Sequence, residues 1–469
     1  MGSADLREGN PSAKQAPPHL HRTPTSLENE KIAGWLTNSV RGGNIGGMSI
    51  ATLGECRFES PYEQTVSDTP RVPVSIIQDG TNQGGDGLSF ELAGPRARLF
   101  FDGPQTRAGI VTCGGLCPGL NNVIRSLFLE LHHRYGVTQV LGFRGGYKGL
   151  DPARGESPIE LSPDYVDDIH REGGTVLDTS RGPVDTVIAV DNLIRLGVDI
   201  LFTIGGDGTQ RGGNDLYLES QRRGHNLAVV GVPKTVDNDV AYVARTFGFQ
   251  TAVEEAARVL ACAHNEAHSV ENGISLVKLM GRDAGFIAVG ATIASQDVNF
   301  TLIPEVPFKL EGENGFLAAL EKRVLRRRHA VIVVAEGAGQ DLLKTEQAGL
   351  ERDASGNVKL QDIGLFLRQK IEAHFKGRGI PATLRYFDPN YLIRSVKADA
   401  EDAILCDLFA RQAVHAAMAG KTGLVIGNLH DLFIHIPITM LARERKRIDP
   451  DSQLWQAVLS STGQPARFT

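Results

Sequence analysis

The stretch GGDGTQRGG, Gly205 to Gly213, follows the apolar run VDILFTI with no spacer, so a strand is expected to end in a glycine-rich loop. Such a loop, opening a helix, offers backbone N–H groups and the positive end of the helix dipole to an anion such as phosphate. Asp207 sits inside it. A carboxylate among phosphate-binding amides is costly unless a cation lies between, and Mg²⁺ commonly takes one or two carboxylates plus phosphate oxygens. The plainer reading makes Asp207 the cap of the following helix or a turn residue. Further on, PKTVDND, residues 233–239, places Asp237 and Asp239 two apart after the run AVVGV, on one side of an extended segment. Phosphoryl transfer to an alcohol needs a base near the hydroxyl, and Asp is a common choice. The plainer reading is a turn around Asn238. Lys234 can hold a transferring phosphoryl group by its charge, or only neutralise the two acids.

Other apolar runs end in similar chemistry. RAGIVTC leads into GGLCPGLNN, LVKL into MGRDAG, VIVVA into EGAG and LRYF into DPNYLIR, and a downstream loop reads LDTSRGP. One glycine-rich strand end is ordinary turn punctuation; several in order make a site. Arg181, Arg282, Arg385 and Arg394 each lie at a strand end or loop beside glycine or proline. Arginine suits bidentate contact with phosphate, and the four together argue for two anionic groups, one on a donor and one on an acceptor.

These residues need a frame. From Thr106 onward, short β-branched runs alternate with helical patterns: RAGIVTC, TQVLGF, DILFTI, LAVVGV, ISLVKL, VNFTLI, AVIVVA, ATLRYF and GLVIGN. Leu120, Val123, Ile124, Leu127, Phe128 and Leu131 share one helix face, as do Ala252, Val253, Ala256, Val259, Leu260 and Ala263. Strand–helix alternation with nearly continuous apolar strands predicts an α/β chain with parallel sheets covered on both sides. Ligands in such sheets sit at the carboxyl ends of the strands. Residues 1 to about 45 are rich in Pro, Ser, Asn and Gly and read as disordered or loosely attached. Met48 to Gly103 is mixed, with MSIATLGE and VPVSIIQ as possible strands and QDGTNQGGDGL as a turn cluster, and is expected to pack on a main domain.

The bulk numbers exclude some partners. The 469 residues carry a net charge of −6, spread along the chain, which gives no case for nucleic acid or an acidic membrane surface. The runs Arg326–Arg328 and Arg443–Arg447 read as solvated helix faces. The five cysteines, at 56, 113, 117, 262 and 406, form no disulfide-like or zinc-ligand pattern and point to a reducing compartment. Cys113 and Cys117 read as small apolar residues near a loop. No stretch reaches the ~18 apolar residues of a membrane span. The first residues lack an apolar signal core and carry Asp5, Glu8, Glu28 and Glu30, so a cytoplasmic location is expected.

The motifs GGLCPGLNN, SRGP, GGDGT, PKTVDND, MGRDAGF, AEGAGQD and YFDPNYLIR, in this order, closely resemble those of the 6-phosphofructokinase family, from about Arg107 to the C-terminal region. The nearest branch resembles the ATP-using enzymes of plants, trypanosomes and some bacteria, within the pyrophosphate-type lineage. The resemblance implies two doubly wound, Rossmann-like parallel-sheet domains with the site between them, plus an N-terminal extension over 1–104. It implies a nucleotide-binding domain over 105–247 plus 393–443, and a fructose 6-phosphate domain over 248–392 plus the C-terminal tail. It implies that Gly115, Arg181, Gly182, Gly206, Asp207, Gly208 and Thr209 bind the nucleotide phosphates of ATP, with Asp207 on Mg²⁺. Asp237 would take the proton from the C1 hydroxyl of fructose 6-phosphate, with Arg181, Lys234 and Asp239 beside it in the catalytic group. Thr235, Val236, Met280, Gly281, Arg282, Glu336, Tyr391, Leu392, Ile393 and Arg394 would hold the sugar phosphate. Arg385 resembles the arginine that many members lend across a subunit interface, which implies a homo-oligomer, dimer or tetramer.

The sequence departs from the best-known bacterial ATP enzymes at three places. Lys234 stands where they have glycine, and pyrophosphate users carry lysine there. Tyr391 replaces a histidine, and Gly273 replaces another interface arginine. Pyrophosphate users typically have Asp at the position of Gly208, where a side chain would meet the α-phosphate of ATP; glycine implies ATP. Three other functions are weighed against this one. A pyrophosphate-dependent enzyme is motivated by Lys234. A relative of NAD kinases or lipid kinases would share GGDGT but not MGRDAG or YLIR. A non-catalytic sugar-phosphate-sensing subunit is opposed by the presence of Asp207, Asp237 and Arg181.

Overall fold

Each of the nine apolar runs forms a strand in the computed structural model, which describes residues 49–77, 87–343, 352, 358–441 and 445–469. The expected disorder before residue 45 and most of the 78–88 turn cluster lie outside the described residues. Among those residues, the larger sheet has nine strands. Their order is Arg71–Pro73, Ser89–Leu92, Leu432–Pro437, Leu424–Leu429, Ala228–Pro233, Ile200–Gly205, Arg107–Thr112, Gln139–Phe143 and Ile159–Glu160. The central five are parallel and the outer pairings antiparallel. A second sheet of four parallel strands runs Phe300–Leu302, His329–Ala335, Gly273–Leu279, Thr383–Phe387.

Alternation along the strands shows how both faces are covered. Ile200, Phe202 and Ile204 join one buried cluster with Val123, Leu127 and Phe409, from helices Leu120–His133 and Ala400–Met418. Leu201 faces the other way, with Leu193 and Leu216 from helices Thr186–Arg195 and Asp207–Arg222. The small sheet repeats the pattern. Val277 and Val333 join the first cluster, while Leu276 and Val334 face Phe316 and Leu367. One apolar core therefore runs from the large sheet into the small one. The predicted face of Leu120–His133 is buried at every position named. In Phe249–His268, Val253 and Val259 are only half-buried.

The extension is built into the sheet rather than laid over it. Ser89–Leu92 pairs with Leu432–Pro437 and with Arg71–Pro73. Buried Glu91 accepts from Arg96 Nη2 at 2.6 Å and pairs with Lys421 Nζ at 2.8 Å and His435 Nδ1 at 3.0 Å. Burial opposes the ionised carboxyl, but the hydrogen bond from His435 and the charge of Lys421 outweigh it and hold Glu91 well below the usual carboxylate range. The two candidate strands there are short: Ala51–Thr52 pairs with Lys421–Thr422, and the second keeps only Arg71–Pro73. Leu432–Pro437 is a strand the apolar runs do not announce. It returns from its neighbour through His430 and Asp431, both at positive φ, a hairpin turn made without glycine. No helix among the described residues is long and apolar enough to cross a membrane.

Candidate active site

The carboxyl ends of both sheets open on one cleft of about 990 Å³. On the large-sheet side, Ile200–Gly205 passes through Gly206 straight into helix Asp207–Arg222, so Asp207 is the first residue of a helix whose amides face the cleft. Two glycines here have different reasons. A Cβ on Gly205 would lie 2.1 Å from Thr209 Oγ1, so the tight strand-to-helix turn requires glycine. A Cβ on Gly208 would meet only Arg211 Nη2 at 3.8 Å, so protein packing does not require it; the space belongs to the cleft. Gly114 and Gly182, at φ 89° and 108°, occupy conformations that side chains resist. Beneath the first loop, buried Lys234 donates from Nζ to the Gly115 carbonyl at 2.5 Å. Burial, with the Arg181 charge nearby, pulls its pKa below the ordinary lysine value.

The PKTVDND loop is locked from within. Asn238 sits at φ 55°, and its Oδ1 accepts from the Thr246 amide at 3.1 Å, while Thr246 Oγ1 donates to the Thr235 carbonyl at 2.7 Å. Thr235 Oγ1 in turn donates to Asp239 Oδ1 at 2.9 Å. This fixes Asp239 to one side and leaves Asp237 Oδ1 buried with no hydrogen-bond partner. Burial first, then the negative Asp239 and Glu336, hold the Asp237 carboxyl well above the usual range. Burial likewise raises Asp207, against the charge of Arg445.

The small-sheet side is made of side chains tied to one another. Lys278 bridges Asp362 and Asp388, both at 2.9 Å. Glu336, raised by burial, follows His329–Ala335. Arg394, on the short helix Asn390–Ser395, lies 4.7 Å from the Tyr391 ring centre, and its Nε is buried with no hydrogen-bond partner. An unpaired buried donor and an unpaired carboxylate oxygen in one cleft are the groups that an anionic, hydroxyl-bearing ligand would satisfy.

The cleft brings together Gly115, Arg181, Gly182, Gly206, Asp207, Gly208, Thr209, Lys234, Thr235, Val236, Asp237, Asp239, Met280, Arg282, Glu336, Tyr391 and Arg394. Gly281, Arg385, Leu392 and Ile393 do not line it. Ile393 is core, and Arg385 is half-exposed, 3.7 Å from Glu266. The reading of Arg443–Arg447 as a solvated helix face fails for the part that is described. Arg443 lies outside the described residues, while Arg445 and Lys446 are not helical and spend their charge on groups of the protein. Arg445 pairs with Asp207, Asp239 and Asp283. Lys446 Nζ donates to the carbonyls of Val243 and Ala244 at 2.7 and 2.9 Å, and burial pulls its pKa to about 8. Charge density along the run gave no sign of this, since ion pairing with distant segments leaves no local pattern. Cys113 is buried, its thiol pushed up to about 12, as expected of a packing residue. Among the described residues, no group of three or more His, Cys, Asp or Glu converges on a metal-sized point.

The phosphofructokinase family model matches residues 107–417. The chain is 44% identical over 439 residues to the ATP-dependent 6-phosphofructokinase of Amycolatopsis methanolica, covering 90% of this chain and 95% of that one. It is 48% identical over 378 residues to the ATP-dependent 6-phosphofructokinase of Trypanosoma brucei brucei, covering 80% and 76%. Among solved structures, a pyrophosphate-dependent phosphofructokinase from Marinobacter aquaeolei aligns with a TM-score of 0.63 at 20% identity, over 76% of this chain and 91% of that one, a likeness of fold. With the family motifs at the strand ends and the match running through both sheets, the chain belongs to the phosphofructokinase family.

Proposed function

We propose that this protein is an ATP-dependent 6-phosphofructokinase, transferring the γ-phosphoryl group of ATP to the C1 hydroxyl of fructose 6-phosphate. The observation that carries the assignment of the base is Asp237, whose Oδ1 is buried and unpartnered in the cleft. Asp237 accepts the hydroxyl proton as the sugar oxygen attacks the γ-phosphorus; the bond to the β–γ bridging oxygen breaks and ADP leaves. The raised basicity of its carboxylate favours that proton transfer. The amides of Gly206 to Thr209, with Gly115 and Gly182, hold the nucleotide phosphates, and Arg181 faces the group in flight. Thr235, Val236, Met280, Arg282, Glu336, Tyr391 and Arg394 hold the sugar phosphate, and Thr235 and Lys234 fix the acidic loop and the first phosphate loop.

A single carboxylate at a helix start, with no converging ligand group among the described residues, fits a metal carried largely by phosphate oxygens, so Asp207 is the residue that would hold Mg²⁺. When bound, Mg²⁺ would neutralise charge on the β- and γ-phosphates. The division into residues 105–247 plus 393–443 for the nucleotide and 248–392 plus the tail for the sugar is part of this reading. So are a cytoplasmic location and a homo-oligomer in which half-exposed Arg385 reaches a neighbour's site.

Lys234 supports a second donor, pyrophosphate. A coupled assay of fructose 1,6-bisphosphate formation with Mg²⁺ compares the two. Product with ATP alone supports the open space at Gly208 as the donor filter; product with pyrophosphate alone rejects it. Fructose 6-phosphate binding with turnover on neither donor would favour the sensing subunit.

A further inference from the structure

Arg445 occupies the carboxylate that the reading above gives to Mg²⁺. Its guanidinium lies 3.2 Å from Asp207 Oδ2 and 3.7 Å from Asp239 Oδ2, and it also pairs with Asp283. The three acids come from three loops: the start of helix Asp207–Arg222, the PKTVDND loop, and the loop after Gly273–Leu279. The first two belong to the large-sheet side and the third to the small-sheet side.

The backbone presenting this arginine is anchored. Arg445 bridges to Val240, the Lys446 amide donates to the Asp239 carbonyl at 2.9 Å, and the Ile448 amide donates to Glu305 Oε1 at 3.0 Å. The carboxylates surround a planar, five-donor group rather than a point, and they do not converge as ligands to a small ion at about 2.0–2.1 Å would. Any divalent ion on Asp207 must therefore displace or repel a fixed positive charge already bonded to that carboxylate.

We propose that Arg445 is a stand-in cation: it pairs with Asp207, Asp239 and Asp283 across the cleft and offsets part of their charge, so that divalent metal gains Asp207 only together with the nucleotide phosphates. It acts through Asp207 and is a positioning residue, and the proposal rests on the reading of Asp207 as the metal ligand. Free metal alone offers too little to displace the arginine, whereas phosphate oxygens bring both the remaining ligands and an alternative anionic partner for the guanidinium.

The test is direct Mn²⁺ binding to the full-length protein without nucleotide, read by the electron paramagnetic resonance signal of free Mn²⁺. Arg445→Gln is expected to tighten Mn²⁺ binding about tenfold at low salt. Arg445→Lys, whose ammonium cannot span three carboxylates, is expected to tighten it about twofold to threefold, and it carries the test if the Gln variant does not fold. Unchanged or weaker Mn²⁺ binding in the folded variants overturns the proposal. A control separates this from failure of the metal reading: Asp207→Asn in the Arg445→Gln background should abolish the gain. A gain that survives loss of Asp207 places the metal elsewhere and overturns the proposal by that route.

Discussion

The two sides of the cleft solve the anion problem differently. The large-sheet side uses backbone: glycines at strand ends and the start of helix Asp207–Arg222, with Asp237 Oδ1 held without a partner beside them. The small-sheet side uses side chains, with Lys278 tied to Asp362 and Asp388, and Arg394 lying over Tyr391. Amides fixed by a turn lose little freedom when a phosphate arrives, whereas long side chains must be held by partners before they can recognise anything. Under the proposed function the difference would divide the labour, with the base and donor choice on the large-sheet side and most of the acceptor contacts on the other.

The largest expected effect tests that division at the base. Asp237→Ser should lower kcat by about 10²–10⁴ while fructose 6-phosphate still binds; isothermal titration beside single-turnover rates checks both, and near-normal turnover would remove Asp237 from its role. Next comes the acceptor side, where Arg394→Ala should raise KM for fructose 6-phosphate by about tenfold to a hundredfold, with kcat changed far less. An equal loss in kcat would blur the two sides.

The two neighbouring glycines sharpen the comparison further. Gly205→Ala should destabilise the fold by about 1–3 kcal/mol, seen as a lower thermal midpoint, because the added methyl collides with Thr209. Gly208→Asp should leave the midpoint nearly unchanged and raise KM for ATP, since its Cβ points into open cleft. Loss of stability without loss of ATP affinity would contradict the donor-filter reading.

The smallest effect concerns pH. Asp237 must be ionised to accept a proton, and its carboxyl is raised, so the acid limb of kcat/KM should lie above the ordinary carboxylate value near ~4. Activity is lost as pH falls through that limb. Asp239→Asn removes a like charge and should move the limb down. An unmoved limb would assign it to another group.

Much of this was legible because it is local. Gly205, Gly206 and Asp207 follow directly from a strand, and the apolar helix face around Leu127 shows in its own spacing. The hairpin at His430 and Asp431 was not, because its turn lacks the usual Asn-Gly signal. The strands of the extension were only partly visible, since Ser89–Leu92 gains its place from Leu432–Pro437 rather than from its own short pattern.

What the sequence determined by itself is the set of strand ends and the types of group they carry. A residue's position after an apolar run fixes where its backbone lies to within a turn. Tertiary structure alone decided which charges share a partner. Arg445 reads as one more cation in a basic run, where solvation is the default, until the chain returns it to Asp207, Asp239 and Asp283. Lys278 meets Asp362 and Asp388 in the same way. Coulomb attraction depends on distance in space, and separation along the chain does not report it.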